Sequence, residues 1–206
     1  MLGAPFISFL HNHTNGDNSM KCLTLISATA LFVFAPLSFA DQIHVDMHKV
    51  SATGVGEEAG TVKAKDTDKG LELHVQLEGL TPGEHGFHLH QNPSCEPGLK
   101  DGVMAAAIGA GGHFDPAATQ RHEGPMGNGH QGDLPVLVAD AAGKVNLQVV
   151  APRLKASDLI GHSFVVHAGP DNYADTPKPL GGGGGRFLCG VTQAKPDMDD
   201  GKASKK

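Results

Sequence analysis

The chain has 206 residues, with 16 lysines and arginines against 22 aspartates and glutamates, a formal net charge of −6 at neutral pH. That balance supplies no basic patch for a nucleic-acid backbone. The longest apolar run, from Cys22 to about Leu37, falls short of the roughly 18 to 20 residues that a membrane span needs.

The first forty residues differ from the rest. "MKCLTLISATALFVFAPLSFA", Met20 to Ala40, sets a lysine before an apolar stretch and ends on the small-x-small pattern Ser38-Phe39-Ala40. This is the anatomy of a secretory signal peptide, with cleavage expected after Ala40 and Met20 as the true start. The expected organisation is a removed leader over 1–40 and a single domain over 41–206 that ends in the polar tail "KPDMDDGKASKK". The leader removes one charge of each sign, Asp17 and Lys21, so the mature part also stands at −6.

Beyond the leader, "IHVDMHKV" (43–50) and "LELHVQLE" (71–78) alternate apolar and polar residues, the period of a strand with one buried face. "KVNLQVV" (144–150) repeats the pattern, while "LPVLVAD" (134–140) and "SFVVHAG" (163–169) are short apolar runs. "DTDKG", "TPG" and "DAAG" punctuate them as turns, and only "PRLKASDLIG" (152–161) hints at a helical turn. Short strands with regular turns predict an all-β, antiparallel sandwich or barrel. Two long glycine-rich segments, roughly 91–133 and 168–186, interrupt it; loops of that length inside a compact domain are usually functional or disordered. Cys22 leaves with the leader, and the remaining pair, Cys95 and Cys189, reads as one disulfide in an exported chain, with two buried thiols as the alternative.

The histidines carry the chemistry. In "GFHLH", His88 and His90 lie one residue apart, which on an extended segment puts both rings on one face about 7 Å apart. His113, His122 and His130 follow in the first long segment with Asp133, and His167 ends a later strand. Six imidazoles and a carboxylate exceed the needs of one tetrahedral zinc. A second ion with nitrogen ligands suits Cu(II), provided one histidine serves both.

"GFHLH", "GGHFDP", "HQGD", "VVHAG" and "GGGGGRFLCG", in this order, resemble copper,zinc superoxide dismutase, and "NPSCEP" and "HAGPDN" resemble its bacterial periplasmic branch; the likeness spans 43 to 193. The resemblance implies a Greek-key β-sandwich, or flattened barrel, with two functional loops. It implies copper on His88, His90, His113 and His167, zinc on His113, His122, His130 and Asp133, and Asp171 accepting hydrogen bonds from His88 and His122. It makes Arg186, held after five glycines and before Cys189, the group that guides superoxide, and His113 a shared ligand that carries a proton. Lys100 and Lys178 are candidates to add to that field. The resemblance also implies a periplasmic protein, and it leaves monomer and homodimer both open.

The remaining histidines have plainer expectations. His85 is out of phase with His88 and sits before Gly86, so a turn is expected there. His162 should point away from His167, and His74 lies on a polar strand face. His44 and His48 share the polar face of the first strand, where exposure is expected before an auxiliary metal site. A zinc hydrolase is disfavoured, because "HEG" at His122 lacks the second histidine of an H-E-x-x-H helix. A non-enzymatic metal carrier would share the histidines but would not need Arg186.

Overall fold

A computed structural model describes residues 42–193. The leader 1–40 and the tail 195–206 lie outside those residues. The described part holds eleven strands: β1 (Ile43–Ser51), β2 (Gly54–Thr67), β3 (Gly70–Leu77), β4 (Gly83–His85), β5 (Phe87–His90), β6 (Gly98–Lys100), β7 (Val103–Ala105), β8 (Leu137–Ala139), β9 (Val145–Ala151), β10 (His162–His167) and β11 (Arg186–Thr192). Its helices are short 3-10 turns, such as Ala156–Leu159, where the sequence hinted at one.

Seven strands form one antiparallel sheet in the order β5-β10-β11-β1-β2-β3-β9. β9 leads back to β8 through the turn at 140–144, β8 pairs with β4, and β4 runs into β5 across Gly86. The sheet therefore curls toward closure, the all-β arrangement expected from the sequence. The alternation in "LELHVQL" puts Leu71, Leu73, Val75 and Leu77 into the interior. There they join Val45, Met47, Val62, Leu89, Leu188 and the stacked pair Phe87 and Phe164, whose ring centroids lie 5.3 Å apart.

Three segments differ from expectation. β2 is the longest strand, yet its buried residues Ala59, Val62 and Ala64 keep no clean period, because its register against β1 shifts near Met47 and His48. A bulge of this kind moves the buried set from one parity to the other. β4 extends to His85, which is buried on a strand rather than in a turn. The loop over 91–133 carries the hairpin β6–β7, turned by Asp101 and Gly102 with φ of 52° and 80°, the pair of positive values a tight hairpin turn requires.

Cys95 and Cys189 are bonded, with both sulfurs buried against Ala107, Ala110 and Val165. The bond ties the loop that leaves β5 to β11 across 94 residues of sequence. Loop-closure entropy for that span corresponds to about 4–5 kcal/mol, and native disulfides typically deliver about 2–5. Thermal unfolding of the Cys95→Ala/Cys189→Ala double variant is expected to show a Tm lower by on the order of 10 °C. An unchanged Tm would show that the bond constrains nothing the native sheet does not already hold.

Candidate metal centre

β5 has β10 on one side only, so its other edge is free for the long loop. The loop returns along that edge: Leu89 donates to the Gly132 carbonyl (2.9 Å), Phe114 to Leu89 (2.8 Å) and Gln91 to Gly112 (3.0 Å). These bonds cover an otherwise exposed strand edge. They also set His113 opposite His90 and Asp133 opposite His88. Gly132 is required at this contact, since a methyl group there would overlap the Leu89 carbonyl. On the other side of β5, β10 delivers His167, and a register shift after Val166 sets His167 directly across from Arg186 on β11.

The result is a buried imidazole cluster with His113 at its centre. Its ring lies 3.9 Å from His88 and 5.1 Å from His90 on one side, and 5.3 Å from His122 and 5.2 Å from His130 on the other. Ligand-type atoms of His88, His90, His113 and His167 all lie within 4.8 Å of one another, as do those of His88, His113, His122 and Asp133. His88 cannot serve both groups, because its Nε2 donates to Asp171 at 2.7 Å and only Nδ1 remains. His130 completes the second group instead, with Nδ1 3.5 Å from the Asp133 carboxylate.

One nitrogen of most of these rings is committed elsewhere. His122 Nε2 donates to the other oxygen of Asp171 (2.7 Å), His90 Nδ1 to the Gly111 carbonyl (3.0 Å) and His167 Nδ1 to the Gly184 carbonyl (3.3 Å). Among the described residues, the buried side-chain polar atoms without a hydrogen-bond partner are six imidazole nitrogens and one carboxylate oxygen. The nitrogens are His88 Nδ1, His90 Nε2, His113 Nε2, His122 Nδ1, His130 Nδ1 and His167 Nε2. The oxygen is Glu72 Oε1, which has Lys65 2.7 Å away as its counter-charge. His122 Nδ1 does lie 3.0 Å from Asp133, but off the axis of a hydrogen bond. Six converging ring nitrogens left without partners in a protein interior would each cost free energy. A cation on each side of His113 satisfies all six, so the donor set fits two bound ions.

The electrostatics agree. Burial holds His88 and His90 well below the usual imidazole range, and His113 lies lower for the same reason. Burial brings His167 down to about 4. Their lone pairs are therefore free at neutral pH, as metal ligation requires. Burial opposes ionisation of Asp133 and Asp171, yet the imidazoles hydrogen-bonded to each hold both below the usual carboxylate range. Burial also opposes charge on His122, but Asp133 and Asp171 on its two nitrogens overcome it and raise it to about 9. Two buried anions thus call for positive charge at the spot where an ion would sit.

Arg186 closes the cleft side. It donates to the carbonyls of Ala107 and Gly111, so the Gly111 oxygen is shared by Arg186 and His90. A cleft of about 290 Å³ is lined by His90, His113, His167, Lys100, Leu180 and Arg186. Lys178 is not among the residues lining it. Asp171 is held from behind by the Tyr173 amide (2.8 Å) and packs on Gly181, where φ is +69° and any side chain would strike its carboxylate.

Every metal-type residue expected from the sequence comes together here. His85 stays apart: its Nδ1 sits 2.7 Å from the carbonyl of His167, bracing that strand from behind. His162 turns to the Gln91 carbonyl and the Phe114 ring, away from His167. His74 is exposed beside Gln148, and His44 and His48 belong to neither ligand group. Sequence reasoning missed the carbonyls of Gly111 and Gly184, and also Asp175, whose carboxylate accepts from the His122 and Leu180 amides.

Comparison with known proteins adds an independent finding. The sequence model of the copper/zinc superoxide dismutase (SODC) family matches residues 58–192. The superoxide dismutase (Cu-Zn) of Escherichia coli strain K12 is 54% identical over 174 residues, covering 84% of this chain and 96% of the relative. The solved Cu/Zn superoxide dismutase from Brucella abortus superimposes with a TM-score of 0.73 at 52% identity, over 74% of this chain and 100% of that one. The monomeric copper, zinc superoxide dismutase from Salmonella enterica, solved in solution, gives 0.67 at 50% identity over the same shares.

Asp171→Asn keeps the shape but removes the charge on which His88 and His122 both rest. Loss of such a supporting carboxylate is expected to weaken metal binding by about 10–100-fold, read by Zn(II) competition with a chromophoric chelator. Unaltered affinity would remove Asp171 from the centre.

Proposed function

The chain belongs to the copper/zinc superoxide dismutase family, and from that membership we propose that it converts superoxide, with protons, to dioxygen and hydrogen peroxide at the cluster around His113. The observation that carries this reading is the set of six orphaned imidazole nitrogens, split into two groups that share one ring. His88, His90, His113 and His167 would hold copper through their inward nitrogens, and His113, His122, His130 and Asp133 would hold zinc. When bound, copper supplies the one-electron exchange with superoxide, and zinc, which has no redox chemistry, supplies charge and geometry.

The chain's own groups do the rest. Asp171 and the carbonyls of Gly111 and Gly184 fix which nitrogen of His88, His122, His90 and His167 faces inward. His113 lines the cleft, so its Nε2, at the stage when it is not serving as a ligand, would hold the proton that the reduced species takes up, while Nδ1 faces Asp133 at 2.9 Å. Arg186, oriented by two carbonyls, offers its remaining N–H groups to the anion. The overall charge of −6 repels superoxide, so the cationic cleft of Arg186 and Lys100 must focus it locally. A metal carrier has no use for that guanidinium at its ligands, which favours the enzyme.

Reading residues 1–40 as a leader that directs export and is removed leaves 41–206 as the mature chain and has the enzyme meet superoxide in the periplasm. All groups invoked lie in one chain, so neither a monomer nor a homodimer is demanded by the chemistry.

Protein recovered from the periplasm is expected to begin at Asp41, to carry about one copper and one zinc per chain, and to lose superoxide consumption when copper is removed. Full activity with zinc alone, or a retained leader, would refute the corresponding part. Arg186→Ala is expected to lower kcat/KM about tenfold at low salt and to flatten its dependence on ionic strength with both metals retained. Steady-state rates across a salt series decide this, and a slope equal to that of the unaltered protein would contradict steering by Arg186.

A further inference from the structure

The segment between His122 and His130 holds itself by two bonds, from the Gly127 amide to the Gly124 carbonyl (3.3 Å) and from the Asn128 amide to the Glu123 carboxylate (2.9 Å), and by one tie from the Glu123 amide to Asp133 (3.2 Å). It reads "EGPMGNG" over 123–129, and Met126 is 81% exposed. A glycine-rich stretch loses much conformational freedom when ordered, and its inward carbonyls need donors. Three of those carbonyls, and that of His130, converge on one side chain. Arg153 donates from Nε to Pro125 (3.2 Å), from Nη1 to Gly129 (2.9 Å), and from Nη2 to Gly124 (3.1 Å) and to His130 itself. The arrangement is reciprocal, since Gln131 Nε2 donates back to the Arg153 carbonyl at 2.7 Å. Arg153 is anchored in turn: Leu154 beside it is buried in the core, and Ala151 ends β9, paired with Leu71.

We infer that Arg153 is a positioning residue for zinc, pinning the loop that carries His122, His130 and Asp133 to the end of β9 so that the three ligands are set before the ion arrives. The inference rests on the zinc set proposed above. A guanidinium suits the task because its planar donors reach several carbonyls at once and its charge does not switch off. An ammonium or an amide cannot span four acceptors. Arg153 touches no reacting atom and acts through His130 and its loop, so its removal should leave the copper ligands in place.

The test follows zinc rather than turnover. In the Arg153→Gln variant, Zn(II) release to a chromophoric chelator should quicken and affinity fall about 10–100-fold, as for loss of other groups that orient ligands. Co(II) placed in the zinc site should lose the visible absorption of a tetrahedral ion, while copper stoichiometry stays unchanged. Arg153→Lys should recover only part of the affinity. Guanidinium chloride below denaturing concentration should restore zinc binding to Arg153→Ala where sodium chloride does not. Unchanged zinc release and an unchanged Co(II) spectrum would overturn the inference. So would failure of both the Gln and Lys variants to fold with metals supplied, because Arg153 would then be a determinant of the whole fold. If the unaltered chain binds no zinc, the zinc set itself fails; if it does and Arg153→Gln binds equally well, only this inference falls.

Discussion

Buried imidazoles with no proton to share are the constraint around which this molecule is arranged. His113 sits between two groups of ring nitrogens whose lone pairs point at one another, with two ionised carboxylates behind them. Apart from His122, whose charge the two carboxylates support, protons do not satisfy such a cluster. Protonating rings places like charges about 4–6 Å apart in a poorly solvated interior, and leaving them neutral strands their lone pairs. Cations resolve both problems, so ion binding and the integrity of this end of the sheet are one free-energy question.

The sheet's contribution is to set where the residues of the cluster stand. Two adjacent strands, β5 and β10, supply His88, His90 and His167 at spacings fixed by the pleat. The free edge of β5 then serves as a template, and backbone bonds lay the first long loop along it in a register that leaves His113 and Asp133 facing inward. The second long loop joins through Asp171 and Asp175 to His122, so the two loops lock to each other as well as to the sheet. Side chains that touch no substrate, His85 and Arg153 among them, hold this frame from behind.

Much of this was legible in the chain, and the parts that were not share a physical reason. The period-two faces of β1, β3 and β9 showed in the letters, and the ordered histidine motifs carried the ligand set through their resemblance to a known family. β2 did not show, because a bulge broke its period and its inward residues are small. The β6–β7 hairpin hid within a glycine-rich stretch, although Asp101-Gly102 is a turn signal. His85 escapes the parity set by His88 because at Gly86, between them, the strand changes partner from β10 to β8. The anchors at Gly111 and Gly184 could not be read at all, since a carbonyl oxygen is common to every residue.

The oxygen of Gly111 has two masters. One is the ring of His90; the other is the guanidinium of Arg186. On the proposed assignment, the orientation of a copper ligand and the aim of the anion-binding guanidinium both hang from a single peptide unit. A substitution that displaced this backbone would therefore move the ring of His90 and the side chain of Arg186 in one step.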